Sequence, residues 1–213
     1  MSRRFLPLLL LALTTVIASG CGSSTSTLAA QGPPPGPYKG SEPPSGIRAP
    51  DFALRSYRGP IVRMRDLRGK VVLVTFLDTT CKTKCPIIAG EIGSAIALLI
   101  PAERARVDAL AITVLPQVDT PTRIRRFLRR RHALGSLDWL IGPRDKLPTV
   151  WKAFYILAAT QTGNANIHSA VVRVFDRDGI WVSSLHVGED LTPTNLVHDI
   201  RVALRTHPPG GTP

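Results

Sequence analysis

Residues 71–86 read VVLVTFLDTTCKTKCP, and the fold assignment starts from this stretch. Val71–Leu77 is a nearly continuous apolar run rich in β-branched residues, preceded by the turn Arg68-Gly69-Lys70. A half-buried strand would alternate polar with apolar; a run like this predicts a central strand covered on both faces. Asp78-Thr79-Thr80 ends it, and Cys81 and Cys85 follow at once. Pro86 to Ile100 then carries Ile88, Ile92, Ile96 and Leu99 at near-helical spacing, which predicts a helix. Both cysteines therefore fall at the carboxyl end of a buried strand, where open α/β sheets collect their ligands and reactive groups.

The same alternation of strand and helix continues outward. Ala109–Leu115 is a second apolar strand, and Asp119-Thr120-Pro121 opens a helix with proline in its first turn. Trp139–Ile141 is a short strand, Leu147–Ile156 a helix, and Ser169–Phe175 with Ile180–Leu185 flank the hairpin signal Asp176-Arg177-Asp178-Gly179. Thr192-Pro193 opens a last helix with Leu196, Val197, Ile200 and Leu204 on one face. A βαβ unit followed by a closing ββα unit predicts an α/β thioredoxin-like fold, a central mixed sheet flanked by helices.

The ends are different in kind. Met1–Arg4 is basic, Phe5–Ile17 is apolar and Ala18-Ser19-Gly20 precedes Cys21, the pattern of a secretory signal over residues 1–20. The Ala-Ser-Gly-Cys ending resembles a bacterial lipoprotein cleavage box, which would make Cys21 the lipid-bearing first residue; ordinary cleavage nearby would leave it a stray thiol. Residues 21–49 are Pro-, Gly- and Ser-rich and are expected to form a flexible tether to a domain over 50–206, with a loose tail at 207–213. The protein would then sit on the extracytoplasmic face of the cell membrane.

At 213 residues and 44% hydrophobic composition the chain can bury one domain's core. It is too short for a multidomain machine, and the apolar leader is too short for a comfortable membrane span. The 27 Lys and Arg against 15 Asp and Glu give a net charge of +12. Six arginines fall between Arg123 and Arg131. Without interleaved aromatics, and on an exported chain, they read as a solvated helix face that can orient the domain on anionic lipid, and nucleic acid is not an expected partner.

With Cys21 as anchor, only Cys81 and Cys85 remain in the domain. Two cysteines four positions apart in an oxidising space are a redox pair or soft-metal ligands, and either use needs a thiolate. Cys85 is expected in the first turn of the helix, where the dipole favours a thiolate, with Lys82 and Lys84 adding to the effect. Of five histidines, His168 just ahead of the strand at 170–175 is best placed to reach the cysteines, whereas His186 is expected at the opposite sheet end. Asp78 either caps the turn or serves a thiol as acceptor or proton carrier.

These features resemble the SCO/SenC family of copper-handling, thioredoxin-fold assembly factors of cytochrome c oxidase, across roughly Pro50 to Arg205. The resemblance rests on Cys81, Cys85 and Pro86; on Pro116, Asp119, Thr120 and Pro121; on His168 and Ser169; and on Asp176 and Gly179. It implies that Cys81, Cys85 and His168 ligate copper, as Cu(I) or Cu(II), and that the two cysteines also form a redox-active disulfide. The implied partner is the copper subunit of a membrane-bound terminal oxidase, or one of its assembly factors. Many members have Pro-Asp inside the cysteine loop where this chain has Lys82 and Thr83, and an aromatic where it has Asp78. The competing function is a membrane-tethered general thiol–disulfide oxidoreductase that delivers no copper; it needs no histidine, so His168 discriminates the two.

Overall fold

All seven side chains of Val71–Leu77 are buried, and they divide between two cores. Val71, Leu73 and Leu77 face one cluster, Val72, Val74 and Phe76 the other. This is the period of two expected of a strand covered on both sides.

The computed structural model describes residues 36–156 and 170–205. In chain order these form β1 (Ala53–Ser56), β2 (Ile61–Arg63), a 3-10 turn (Met64–Leu67), β3 (Val71–Leu77), α1 (Lys84–Leu98), α2 (Pro101–Arg104) and β4 (Val107–Thr113). Then come α3 (Pro121–Arg130), β5 (Asp138–Ile141), α4 (Leu147–Ala153), β6 (Val171–Phe175), β7 (Trp181–His186) and α5 (Pro193–Arg205). One sheet runs in the order β2-β1-β5-β4-β3-β6-β7. Its centre is parallel (β3 with β4, β4 with β5), and β6 and β7 add antiparallel partners beyond β3.

Helices α1, α3 and α5 cover one face through Ile88, Ile92, Ile124, Leu196 and Ile200. Trp151 and Phe154, with Met64, cover the other. The layers and topology are thioredoxin-like, as expected. Among the described residues no helix is long and apolar enough to cross a membrane.

Several element ends shift by one to three residues from the sequence reading, and three differences have a clear physical reason. β4 begins at Val107, two residues early, because Asp108 does not break the strand: it ion-pairs with Lys70 at 3.0 Å beside the register pair Val71–Val107. α1 begins at Lys84 rather than Pro86, since a proline in the first turn has no N–H to leave unsatisfied. The third concerns the stretch assigned to the tether. Its end is bound to the domain: the amides of Lys39 and Gly40 donate to the buried Asp199 carboxylate at 2.7 and 3.1 Å. Ser41 exchanges backbone bonds with Ser184, and Trp181 donates to Ile47 at 2.8 Å. β7 is an edge strand with open backbone groups, and any chain with free amides can pair there, whatever its composition. The leader, Cys21, the rest of residues 21–35, residue 206 and the tail at 207–213 lie outside the described residues.

Candidate metal and thiol site

β3 ends at Leu77, and the chain turns at once under the control of Asp78. This residue is fully buried. Its Oδ1 accepts from the Thr80 amide at 2.8 Å, the Thr80 hydroxyl at 2.6 Å and the Cys81 amide at 2.8 Å. Such a cap suits a short carboxylate, which can bond the backbone two and three residues on. Its Oδ2 is also buried and has no hydrogen-bond partner among the described residues.

Behind this turn lies a second buried carboxylate. Asp119 accepts from the Thr79 amide and hydroxyl at 2.9 and 2.7 Å and from the Thr113 hydroxyl at 2.5 Å. It thereby ties the cysteine loop to the end of β4 and the start of α3. Burial pushes its carboxyl above the usual range, against those hydrogen bonds. Thr120 caps α3 by accepting from the Arg123 amide, with Pro121 next, as the sequence predicts.

Cys85 is the second residue of α1 and is fully buried; Cys81 retains 8% exposure. The Cys85 amide donates to Cys81 Sγ at 3.3 Å. The expectation of a thiolate at Cys85 is not met. Its hydrogen bond to Cys81, then its burial, push the Cys85 thiol well above the ordinary range, and neither lysine is among the causes. The helix terminus does aim an amide at a sulfur, but the sulfur is that of Cys81. One ligand atom each from Asp78, Cys81 and Cys85 lies within 4.8 Å of the others. Asp78 thus caps the turn with one oxygen, as the first sequence reading of it expects, and stands beside the thiols as a neighbour.

His168 lies outside the described residues. The strand that follows in the chain, β6, enters the sheet beside the cysteines, since Val74 pairs antiparallel with Arg173 and the Thr75 hydroxyl donates to the Val171 carbonyl at 2.8 Å. His186 corrects the expectation made for it. It pairs with Val171 and so closes β7 at the same sheet end as the cysteines, because two successive antiparallel pairings return β7 to the direction of β3. It stands two strands away, with Nδ1 4.0 Å from Asp190.

Two features went unread in the sequence. One is the anchoring role of Asp119. The other is a hollow of about 470 Å³ with Cys81 in its wall and Arg123, Arg126, Arg130 and Arg131 around it. The spacing i, i+3, i+7 of the first three was the available signal.

The family model described as SCO1/SenC matches residues 41–205. An SCO2-like protein of Rickettsia felis is 24% identical over 161 residues, covering 71% of this chain and 74% of its own length. Among solved structures, Bradyrhizobium japonicum ScoI with copper bound is similar with a TM-score of 0.63 and 26% identity, covering 74% of this chain and 100% of that one. An SCO1/SenC family lipoprotein from Bacillus anthracis has a TM-score of 0.65 at 18% identity, covering 76% and 99%, and shares the fold. The matched span takes in about three-quarters of the chain and both cysteines, and the chain belongs to the SCO1/SenC family.

Proposed function

We propose that the protein binds copper through Cys81 and Cys85 and assists metallation of the copper site of a terminal oxidase. The observation that carries this reading is the Asp78, Cys81 and Cys85 cluster at the carboxyl end of β3, its ligand atoms within 4.8 Å of one another. Two sulfurs suit Cu(I), and the buried Asp78 oxygen adds anionic charge that an incoming cation can offset. The copper in the Bradyrhizobium ScoI structure supports the same use of this fold. His168 is the proposed third ligand, an imidazole that would help hold Cu(II), and the entry of β6 beside the cysteines supports it. Transfer then proceeds by ligand exchange, as thiolates of the receiving site replace those of Cys81 and Cys85.

An anaerobic Cu(I) titration with a competing probe tests this on the reduced chain, alongside Cys81→Ser and His168→Ala. One-to-one binding weakened in both variants is expected. Weak binding by the parent overturns copper handling, and an unaffected His168→Ala removes that ligand. The proposed site of action is the extracytoplasmic membrane face, reached through a lipid on Cys21; metabolic fatty-acid labelling lost in Cys21→Ser is the expected result.

The unequal exposure of the two sulfurs favours a second reading, thiol–disulfide exchange. Cys81, at 8% exposure, would attack a partner disulfide, forming a mixed disulfide and releasing one partner thiolate. The buried Cys85 would then attack Cys81 Sγ, closing the Cys81–Cys85 disulfide and releasing the second. Exchange that stays brisk in His168→Ala, in a protein that binds copper weakly, would favour this reading over metal delivery.

A further inference from the structure

The hollow beside Cys81 carries an unbalanced charge. Lys82, Arg123, Arg126, Arg130 and Arg131 line it together with Phe127, and among the described residues no acidic side chain does. The salt bridges among the described residues engage other cations and none of these five. Like charges held around one concavity repel one another and raise the local concentration of anions.

We propose that this groove receives an extended acidic segment of a partner protein and so presents the partner's cysteine to Cys81. The proposal rests on the reading of Cys81 as the sulfur that exchanges with partners.

The spacing points to an extended segment rather than a small anion. Along α3, Arg123, Arg126 and Arg130 rise by about 4.5 and 6 Å. Alternate side chains of an extended chain stand about 6.6 Å apart on one face, so successive carboxylates can meet successive guanidinium groups. A small dianion can span only two of them. The hollow, at about 470 Å³, has room for a short stretch of chain and not for a folded element. Guanidinium forks also suit carboxylates, which they bind with two parallel hydrogen bonds. A flat lipid surface would meet the rim of such a groove but not the sulfur in its wall.

The test uses the reduced full chain with Cys21→Ser, which leaves Cys81 and Cys85 as its thiols, and two short synthetic peptides. Each carries one cysteine activated as a pyridyl disulfide, flanked by alternating glutamates in one and glutamines in the other. Cys81 sulfur attacks the peptide sulfur, pyridinethione leaves with the bonding electron pair, and its absorbance reports the rate. The acidic peptide is expected to react at least about tenfold faster at low ionic strength, with the advantage lost near 0.5 M salt, where the screening length is only about 4 Å. Arg126→Glu with Arg130→Glu should abolish that advantage while the glutamine peptide's rate and the Cu(I) affinity stay unchanged.

Equal rates for the two peptides, or an advantage that survives charge reversal, overturn the groove proposal alone. An equal arginine-dependent advantage for the small dianion 5,5′-dithiobis(2-nitrobenzoate) overturns the extended segment. Arginine-dependent retention on phosphatidylglycerol vesicles without peptide discrimination assigns the arginines to lipid and overturns it too. No reaction with either peptide overturns the exchange reading of Cys81 and the groove with it. Loss of Cu(I) binding in the parent sinks copper handling while leaving the peptide comparison intact.

Discussion

The amide of Cys85 donates to the sulfur of Cys81 at 3.3 Å, so the first turn of α1 makes the two cysteines unequal. Cys81 receives the helix-terminal donor and faces the groove; Cys85 is sealed beneath it. Alkylation of the reduced protein should therefore modify Cys81 first, by at least about tenfold if the helix donor and exposure act together. Peptide mapping after brief iodoacetamide treatment reads the order, and equal labelling would refute the asymmetry.

Hydrogen bonding to Cys81 and burial keep the Cys85 proton on through neutral pH. Metal loading must then expel it, so apparent Cu(I) affinity should climb about tenfold per pH unit from about pH 6 to 8. The same shift sets a stability trend. The unfolded thiol ionises near its ordinary value of 9.0 while the native one holds its proton. The contribution is full below that pH and is lost as pH rises above it. Urea titrations at pH 7 and 10 should show the fall, whereas an unchanged midpoint would contradict the burial argument.

Asp78 uses its two oxygens differently, and conservative replacement separates them. Asp78→Asn keeps an Oδ1 acceptor for Thr80 and Cys81 but replaces Oδ2, which has no partner among the described residues. The fold should persist and Cu(I) affinity should fall, with a larger drop of about tenfold or more for Cu(II) or Zn(II), since carboxylate oxygen favours the harder ions. Asp78→Ala also removes the cap and should cost about 3 kcal/mol. Competitive metal titrations with thermal denaturation of both variants give the comparison.

Asp119 positions the cysteine loop from outside it. Removing its carboxylate in Asp119→Ala strands the Thr79 amide and two hydroxyls, at a cost of about 3 kcal/mol. Hydrogen exchange at residues 79–81 should quicken more than at the centre of β3. Asp119→Asn retains one acceptor and should restore part of the protection. Uniform acceleration across the sheet would mean global destabilisation instead.

Gly40 passes β7 too closely to carry a side chain. A Cβ there would lie 2.5 Å from Ser183 Oγ and from the Ser184 carbonyl oxygen. Gly40→Ala should lift the N-terminal segment off the edge strand at a cost of about 1–3 kcal/mol. Limited proteolysis should then cut near residues 39–48 while the cysteine site keeps its reactivity.

The buried strand, the helix after the cysteines, the Thr120–Pro121 start and the Asp176–Gly179 turn were legible because each is written in a few neighbouring residues. Val71–Leu77 could bury both faces only at the centre of a sheet, and that placed Cys81 and Cys85 at its end. The N-terminal segment was misjudged for a physical reason. Its side chains carry little apolar surface, but the bonds from Lys39, Gly40 and Ser41 are made by the backbone, on which composition is silent.

By itself, then, the sequence determined an α/β chain with a thiol pair at the carboxyl end of its central strand, and its family. Tertiary structure alone decided which sulfur keeps some exposure, which oxygen of Asp78 has no partner among the described residues, and that His186 shares the cysteines' end of the sheet. It also turned three arginines of a helix face into the wall beside Cys81. Local patterning follows from 2.0- and 3.6-residue periods that a reader can count. These four relations join segments tens of residues apart, or depend on how α1, α3 and β6 pack around β3, and no local period encodes a distance between packed elements.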